Sequence, residues 1–209
     1  MYFPFLDEAG EFKQSVLQQL RQPLESGVAM ITRARQHLQL PARFQLVLAT
    51  NPCPCGGAWR KGSDCSCSSL ALRRYQSKLH GPLIDRVDIQ VIVSPVSRAA
   101  FGDARGESSA QVLERVLAAR GAQRERWAEH GWRTNAEVPG HVLRRQPWRL
   151  PSRVTGEIDR AHDEGRLTLR GYDRTLRLAW SAADLRGHTT PTVDDVGFAF
   201  TMRSGGAAA

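Results

Sequence analysis

Four cysteines stand in two close pairs, Cys53/Cys55 and Cys65/Cys67, after an apolar run that stops at Asn51-Pro52. Nine residues, three of them glycine, separate the pairs, so the loop can turn four thiolates onto one tetrahedral Zn²⁺. Four sulfur ligands leave no open position, so such an ion would be structural. The same letters also fit four reduced thiols in a loop, or a redox pair. A second group opens the chain, where the apolar run MYFPFL ends in Asp7-Glu8. An aspartate at the carboxyl end of a strand can hold Mg²⁺, often through water, and a following glutamate can polarise an attacking water. Asn51, at the end of the second apolar run, can orient that water. Arg86, in GPLIDRVDI, precedes a third apolar run, where an arginine can reach a neighbouring subunit's γ-phosphate. Many strands end in acids, and Arg86 beside Asp85 also reads as an ordinary surface ion pair.

These residues need strands and helices to bring them together. MYFPFLDE reads as a short buried strand, although Pro4 removes a ladder donor. Phe12, Val16, Leu17 and Leu20 have helical spacing, and Gly27 stops that helix. VAMITRARQHLQL reads as a hairpin around an Arg33-Ala34-Arg35 tip. RFQLVLAT has the continuous apolar character of a strand buried on both faces. The cysteine stretch is a loop, SLALRRYQSKLHG a helix, and VDIQVIVSPV another strand. After the polar stretch SRAAFGDARGESS only helices are expected, over 108–128, about 135–145, 152–164, 170–186 and 191–202, with Ser152, Thr168 and Thr192 as N-caps. Trp127, Trp132 and Trp148 fit either a base-stacking platform or inter-helix packing. The six histidines are scattered and read as surface or local hydrogen-bonding residues.

The 209 residues are 41% hydrophobic, which fits a folded chain and excludes a disordered one. No apolar run is long enough to span a bilayer, and the first residues lack a signal-peptide pattern, so a cytoplasmic protein with no membrane partner is expected. The net charge is +8, and only Lys13, Lys61 and Lys78 are lysine. A phosphate-rich partner and an arginine-biased solvated surface both account for that balance.

FLDEAGEF, LRQPLESG, PARFQLVLATNPCPCG, GPLIDRVDI and LRGYDRTLRLAWSAADL resemble, in order, the blocks of the magnesium-chelatase-like AAA+ ATPases. The nearest branch is the one with the competence-associated DNA helicase. The resemblance implies an α/β fold: the C-terminal part of a AAA+ P-loop core, with a parallel sheet and a pre-sensor-1 β-hairpin, followed by an α-helical lid. Residues 1–100 would be the partial core with a Cys-rich insertion at 52–68, residues 105–203 the lid, and 204–209 a disordered tail. Asp7 and Glu8 match the Walker B acids, Asn51 the sensor-1 asparagine and Arg86 the arginine finger. Arg170 matches the sensor-2 arginine, with Arg174 as a second candidate one helical turn on. Arg33 and Arg35 would face DNA in the pore of a ring, a hexamer in the family. ATP with Mg²⁺ is the implied cofactor; apart from the resemblance, zinc on the four cysteines would pin their loop and offer Arg60 and Lys61 to a partner.

One part of the family pattern is missing. No G-x-x-x-x-G-K-[ST] loop occurs, and GGAWRKGS at 56–63 has the wrong spacing. The expectation is therefore a C-terminal fragment of a DNA-remodelling ATPase, inactive alone. A metal-inserting ATPase of the magnesium-chelatase type and a non-enzymatic, zinc-stabilised interaction module are the alternatives.

Overall fold

A computed structural model describes residues 2–33, 36–58, 64–79, 81, 83–93 and 106–205. The chain divides into two compact units, Met1–Val87 and Asp88–Ala209. Expectations for Arg35, Arg60, Lys61, His80 and the whole stretch from 94 to 105 fall outside the described residues.

The first unit is a small α/β assembly. Strands β1 (Phe5–Leu6) and β4 (Val47–Leu48) pair in parallel, Phe5 opposite Val47 and Leu6 opposite Leu48. A bridge between Tyr2 and Phe44 extends the pairing. Pro4 lends only its carbonyl, which accepts from Val47 N at 3.0 Å, so the full ladder begins at Phe5. Between these strands lie α1 (Gln14–Gln19), α2 (Arg21–Ser26) and the antiparallel hairpin β2 (Val28–Arg33) and β3 (Gln36–Pro41). The hairpin is where the sequence pattern puts it. Gly27 ends α2 at φ 69°, a left-handed conformation that costs glycine nothing, and its N–H caps Pro23 O at 2.8 Å. Helix α3 (Ser69–Leu79) follows the cysteine loop.

The strands are not buried on both faces, contrary to the expectation. Leu6 and Leu48 pack on a cluster of Ala9, Leu17, Leu79 and Leu83, but Phe3 and Phe5 are 68% and 61% exposed and Val47 45%. Side chains alternate along a strand, and among the described residues a helical layer covers only the face carrying the two leucines. Of the third expected strand only residues 87–93 are described; they form no named strand, although Ile92 makes an isolated bridge. Residues 88–93 form no ladder with a named strand. They are held by a helix of their own unit: Gln90 N donates to Met202 O at 2.7 Å and Gln90 Nε2 to Arg203 O at 3.0 Å. The last carbonyls of a helix lack intrahelical donors, and Gln90 satisfies two of them.

The second unit is helical. It comprises α4 (Ser109–Arg126), the short α5 (Gly140–Leu143), α6 (Ser152–Asp163), α7 (Leu169–Arg186) and α8 (Val193–Arg203). Thr168 and Thr192 are N-caps, accepting from Gly171 N and Asp195 N. Ser152 is not a cap. It is the first helical residue after Pro151, whose extended φ and ψ start α6 without a side-chain bond. The tryptophans settle into packing. Trp127 is buried, 4.5 Å from the Trp148 ring and 5.7 Å from Trp132, in a core with Ile158, Leu176, Trp180 and Val196. Beneath them Arg126 pairs with Asp184 at 2.5 Å, Asn135 Nδ2 donates to Asp184 at 2.8 Å, and Trp127 Nε1 donates to Asn135 at 2.9 Å.

Candidate functional site

The parallel pairing brings the two polar strand ends together. Leu6 lies opposite Leu48, Leu6 O accepts from Ala49 N at 3.0 Å, and Ala49 O accepts from Ala9 N at 2.8 Å. Asp7-Glu8 and Thr50-Asn51 therefore leave the same end of the same sheet. Asp7, Glu8 and Asn51 are all exposed there, while Ala9 and Gly10 behind them are buried. Asp7 Oδ1 accepts the Glu8 amide at 2.9 Å, which leaves the second carboxylate oxygen for a cation. Mg²⁺ keeps most of its waters and needs only one or two carboxylates, so this donor fits it. Glu8 has φ 51°, the one left-handed non-glycine residue among those described. A side chain there costs on the order of 1 kcal/mol or more, a strain found often at functional sites.

Helix α3 braces both loops. Tyr75 is buried; its hydroxyl lies 3.2 Å from Thr50 Oγ1, and its ring covers Gly10 so closely that an added Cβ would lie 2.3 Å from Tyr75 Cζ. Lys78 Nζ donates to Gly10 O at 2.7 Å. Sequence reasoning gave neither residue a role, because each contact spans 25 or more positions and leaves no local pattern.

The four cysteines converge. Their Sγ atoms all lie within 4.8 Å of one another, with separations of 3.4 Å for Cys53–Cys55 and 3.7 Å for both Cys55–Cys65 and Cys53–Cys65. A tetrahedral ion with Zn–S bonds of about 2.3 Å has sulfur–sulfur edges of roughly 3.8 Å. The cluster, with Cys67 as its fourth member, fits Zn²⁺ in size and donor chemistry. Gly57 lets the two arms approach, since a Cβ there would sit 3.1 Å from Cys65 Cα. Ala58 N donates to Cys53 Sγ at 3.2 Å, the kind of outer bond that steadies a thiolate. The Cys55 thiol is lowered to about 6, chiefly by the Gly57 amide and then by the Cys67 and Cys53 sulfurs. Cys67 goes the other way, to about 12. The Cys55 amide favours its thiolate, but the Cys55 sulfur and burial outweigh that bond. Cys65 also moves up, its bond from the Cys67 amide outweighed by burial and the Cys55 and Cys53 sulfurs. One thiolate forms readily and the next are opposed, and a divalent cation would offset the charge of four thiolates.

Each candidate arginine has its own setting within its unit. Arg86 folds onto Glu25 of α2, its side chain 8% exposed. Arg170 is in the exposed first turn of α7, and Arg174 pairs with Asp88 at 2.5 Å. Arg33 is the last paired residue of β2, opposite Gln36. Glu25 and Asp88, 61 and 86 positions from their partners, were not foreseen.

A profile described as "Magnesium chelatase, subunit ChlI" matches residues 3–101, and one described as "Magnesium chelatase, subunit ChlI C-terminal" matches 106–203. The uncharacterized protein Mb2921c of Mycobacterium bovis is 49% identical over 97% of this chain and 40% of its own length. The competence protein ComM of Haemophilus influenzae is 39% identical over 88% of this chain and 35% of its own. The uncharacterized protein YifB of Escherichia coli is 35% identical over 87% and 35%. The chain thus spans about 40% or less of the length of these relatives.

Proposed function

The chain belongs to the magnesium chelatase subunit ChlI family, alongside ComM and YifB, and on that premise we propose that it is part of a ring-forming AAA+ ATPase that remodels DNA. The observation that carries the reading is the parallel register of β1 and β4, which sets Asp7-Glu8 and Asn51 at one end of one sheet. Asp7 holds Mg²⁺, which when bound offsets triphosphate charge. Glu8 polarises the attacking water and Asn51 orients it. Arg86 serves the γ-phosphate of a neighbouring subunit after leaving Glu25, and Arg170, with Arg174 behind it, reads the nucleotide from the helical unit. Arg33 and Arg35 contact DNA. The four cysteines hold one structural Zn²⁺ beside the Asn51 loop. With no phosphate-cradling G-x-x-x-x-G-K-[ST] loop in its sequence, the chain alone does not turn over ATP.

The +8 charge and the likeness to a competence protein favour DNA. The description of the family profile favours the second reading, ATP-driven metal-ion insertion. Fluorescence anisotropy with labelled forked DNA separates them. DNA remodelling predicts binding that weakens roughly tenfold or more between 50 and 200 mM salt, as counterion release requires. No binding at low salt would discard the DNA reading. Mixing the chain with a full-length relative tests the ATPase reading. A change in the relative's ATP hydrolysis is expected, and association without any such change points to a non-enzymatic module.

A further inference from the structure

The cysteine cluster is tied at both ends to the two loops that carry the candidate water-activating residues. At one end Cys53 follows Asn51 by two positions. At the other, Cys67 precedes Ser68, whose hydroxyl accepts the Ala71 amide at 3.2 Å and opens α3. That helix carries Tyr75 back to Thr50 and Gly10, and Lys78 back to the Gly10 carbonyl. We infer that the zinc knuckle and α3 form one clamp that fixes the spacing between Asn51 and the Asp7-Glu8 pair, with Tyr75 and Lys78 as its positioning residues. The inference rests on the zinc assignment above.

The physical argument is one of constraint. Beyond Ala49 the Asn51 loop has left the strand ladder, and the Thr50–Tyr75 bond and the chain into Cys53 tie it to α3 and the cysteines. A four-coordinate ion cross-links both cysteine pairs and so fixes where α3 begins. Without it, sulfur–sulfur hydrogen bonds are weak holders, and α3 loses its anchored start. Tyr75 then no longer stands in one place over Gly10 and Thr50. The β1–β4 ladder and the hairpin do not depend on the ion, so the loosening is local to 7–12 and 49–55.

Hydrogen–deuterium exchange of the purified chain, with zinc content measured on the same sample, tests this. Stripping zinc with a chelator is expected to speed exchange by about tenfold in 7–12 and 49–55 while sparing the hairpin and the helical unit, and zinc add-back reverses it. Cys65→Ser repeats the effect, and Cys65→His, which keeps a zinc ligand, restores slow exchange. Tyr75→Phe in zinc-loaded protein keeps the ring on Gly10 but removes the Thr50 bond, so it loosens 49–55 and spares 7–12. Zinc-loaded and stripped chains with the same exchange in both loops would overturn the clamp while leaving the metal assignment standing. A chain that binds no zinc overturns the assignment, and the clamp with it. If stripping unfolds the whole unit, Tyr75→Phe decides: unchanged exchange at 49–55 ends the idea, and faster exchange there supports it.

Discussion

Arg174 Nη1 lies 2.5 Å from Asp88 Oδ1, across 86 positions of chain. The bond fastens residues 88–93 to α7, next to the two hydrogen bonds that Gln90 makes to the end of α8. It also gives Arg174 an architectural task.

Arg174→Ala should therefore raise exchange in 88–93 and cost about 0.5–1 kcal/mol, since Asp88 is half exposed and solvent screens the pair. Hydrogen exchange and urea unfolding of the variant check this, and exchange in 88–93 equal to that of the parent would refute it.

Asp184 is the buried partner of Arg126 and also takes Asn135. Asp184→Ala strands a guanidinium in the interior against Trp180, at a cost of about 3–5 kcal/mol. Chemical denaturation followed by tryptophan fluorescence should show it. A loss below 1 kcal/mol would mean that water replaces the carboxylate.

Asp195 should make the helical unit acid-sensitive. Burial alone would raise its pKa, but the Thr192 amide, His188 and Arg186 outweigh burial and bring it to about 2. A carboxyl depressed from an unfolded value of about 3.9 stabilises the fold above that value, and the contribution is lost as pH falls toward 2. The urea midpoint of the parent should drop across this window, and that of Asp195→Asn should start lower and drop less. Parallel pH profiles would contradict the assignment.

Metal-free protein should alkylate first at Cys55, whose thiol at about 6 is a thiolate at neutral pH, and last at Cys67, held near 12. An iodoacetamide time course read by peptide mass spectrometry gives the order, and zinc should protect all four residues. Uniform rates in metal-free protein would count against the converged cluster.

Interactions within a few residues were readable from the letters. The hairpin, the caps at Thr168 and Thr192, the stop at Gly27 and the paired cysteines each depend on a span of residues short enough for the chain to close by itself. The polar ends of the two apolar runs were readable for the same reason.

Other properties required the folded chain. Whether Phe5 and Val47 are covered depends on which elements pack over them, and alternation along a strand does not specify that. The VDIQVIVSPV run looks like a strand because it is apolar and β-branched, yet Gln90 and Asp88 find partners on helices more than 80 positions away. Arg86 meets Glu25, and Tyr75 meets Thr50 and Gly10, through contacts that exist only once α2 and α3 are packed. The sequence determined which groups could act and the local shapes they would take. Tertiary packing decided which of them share a place, because burial and ion pairing depend on neighbours that the linear order does not fix.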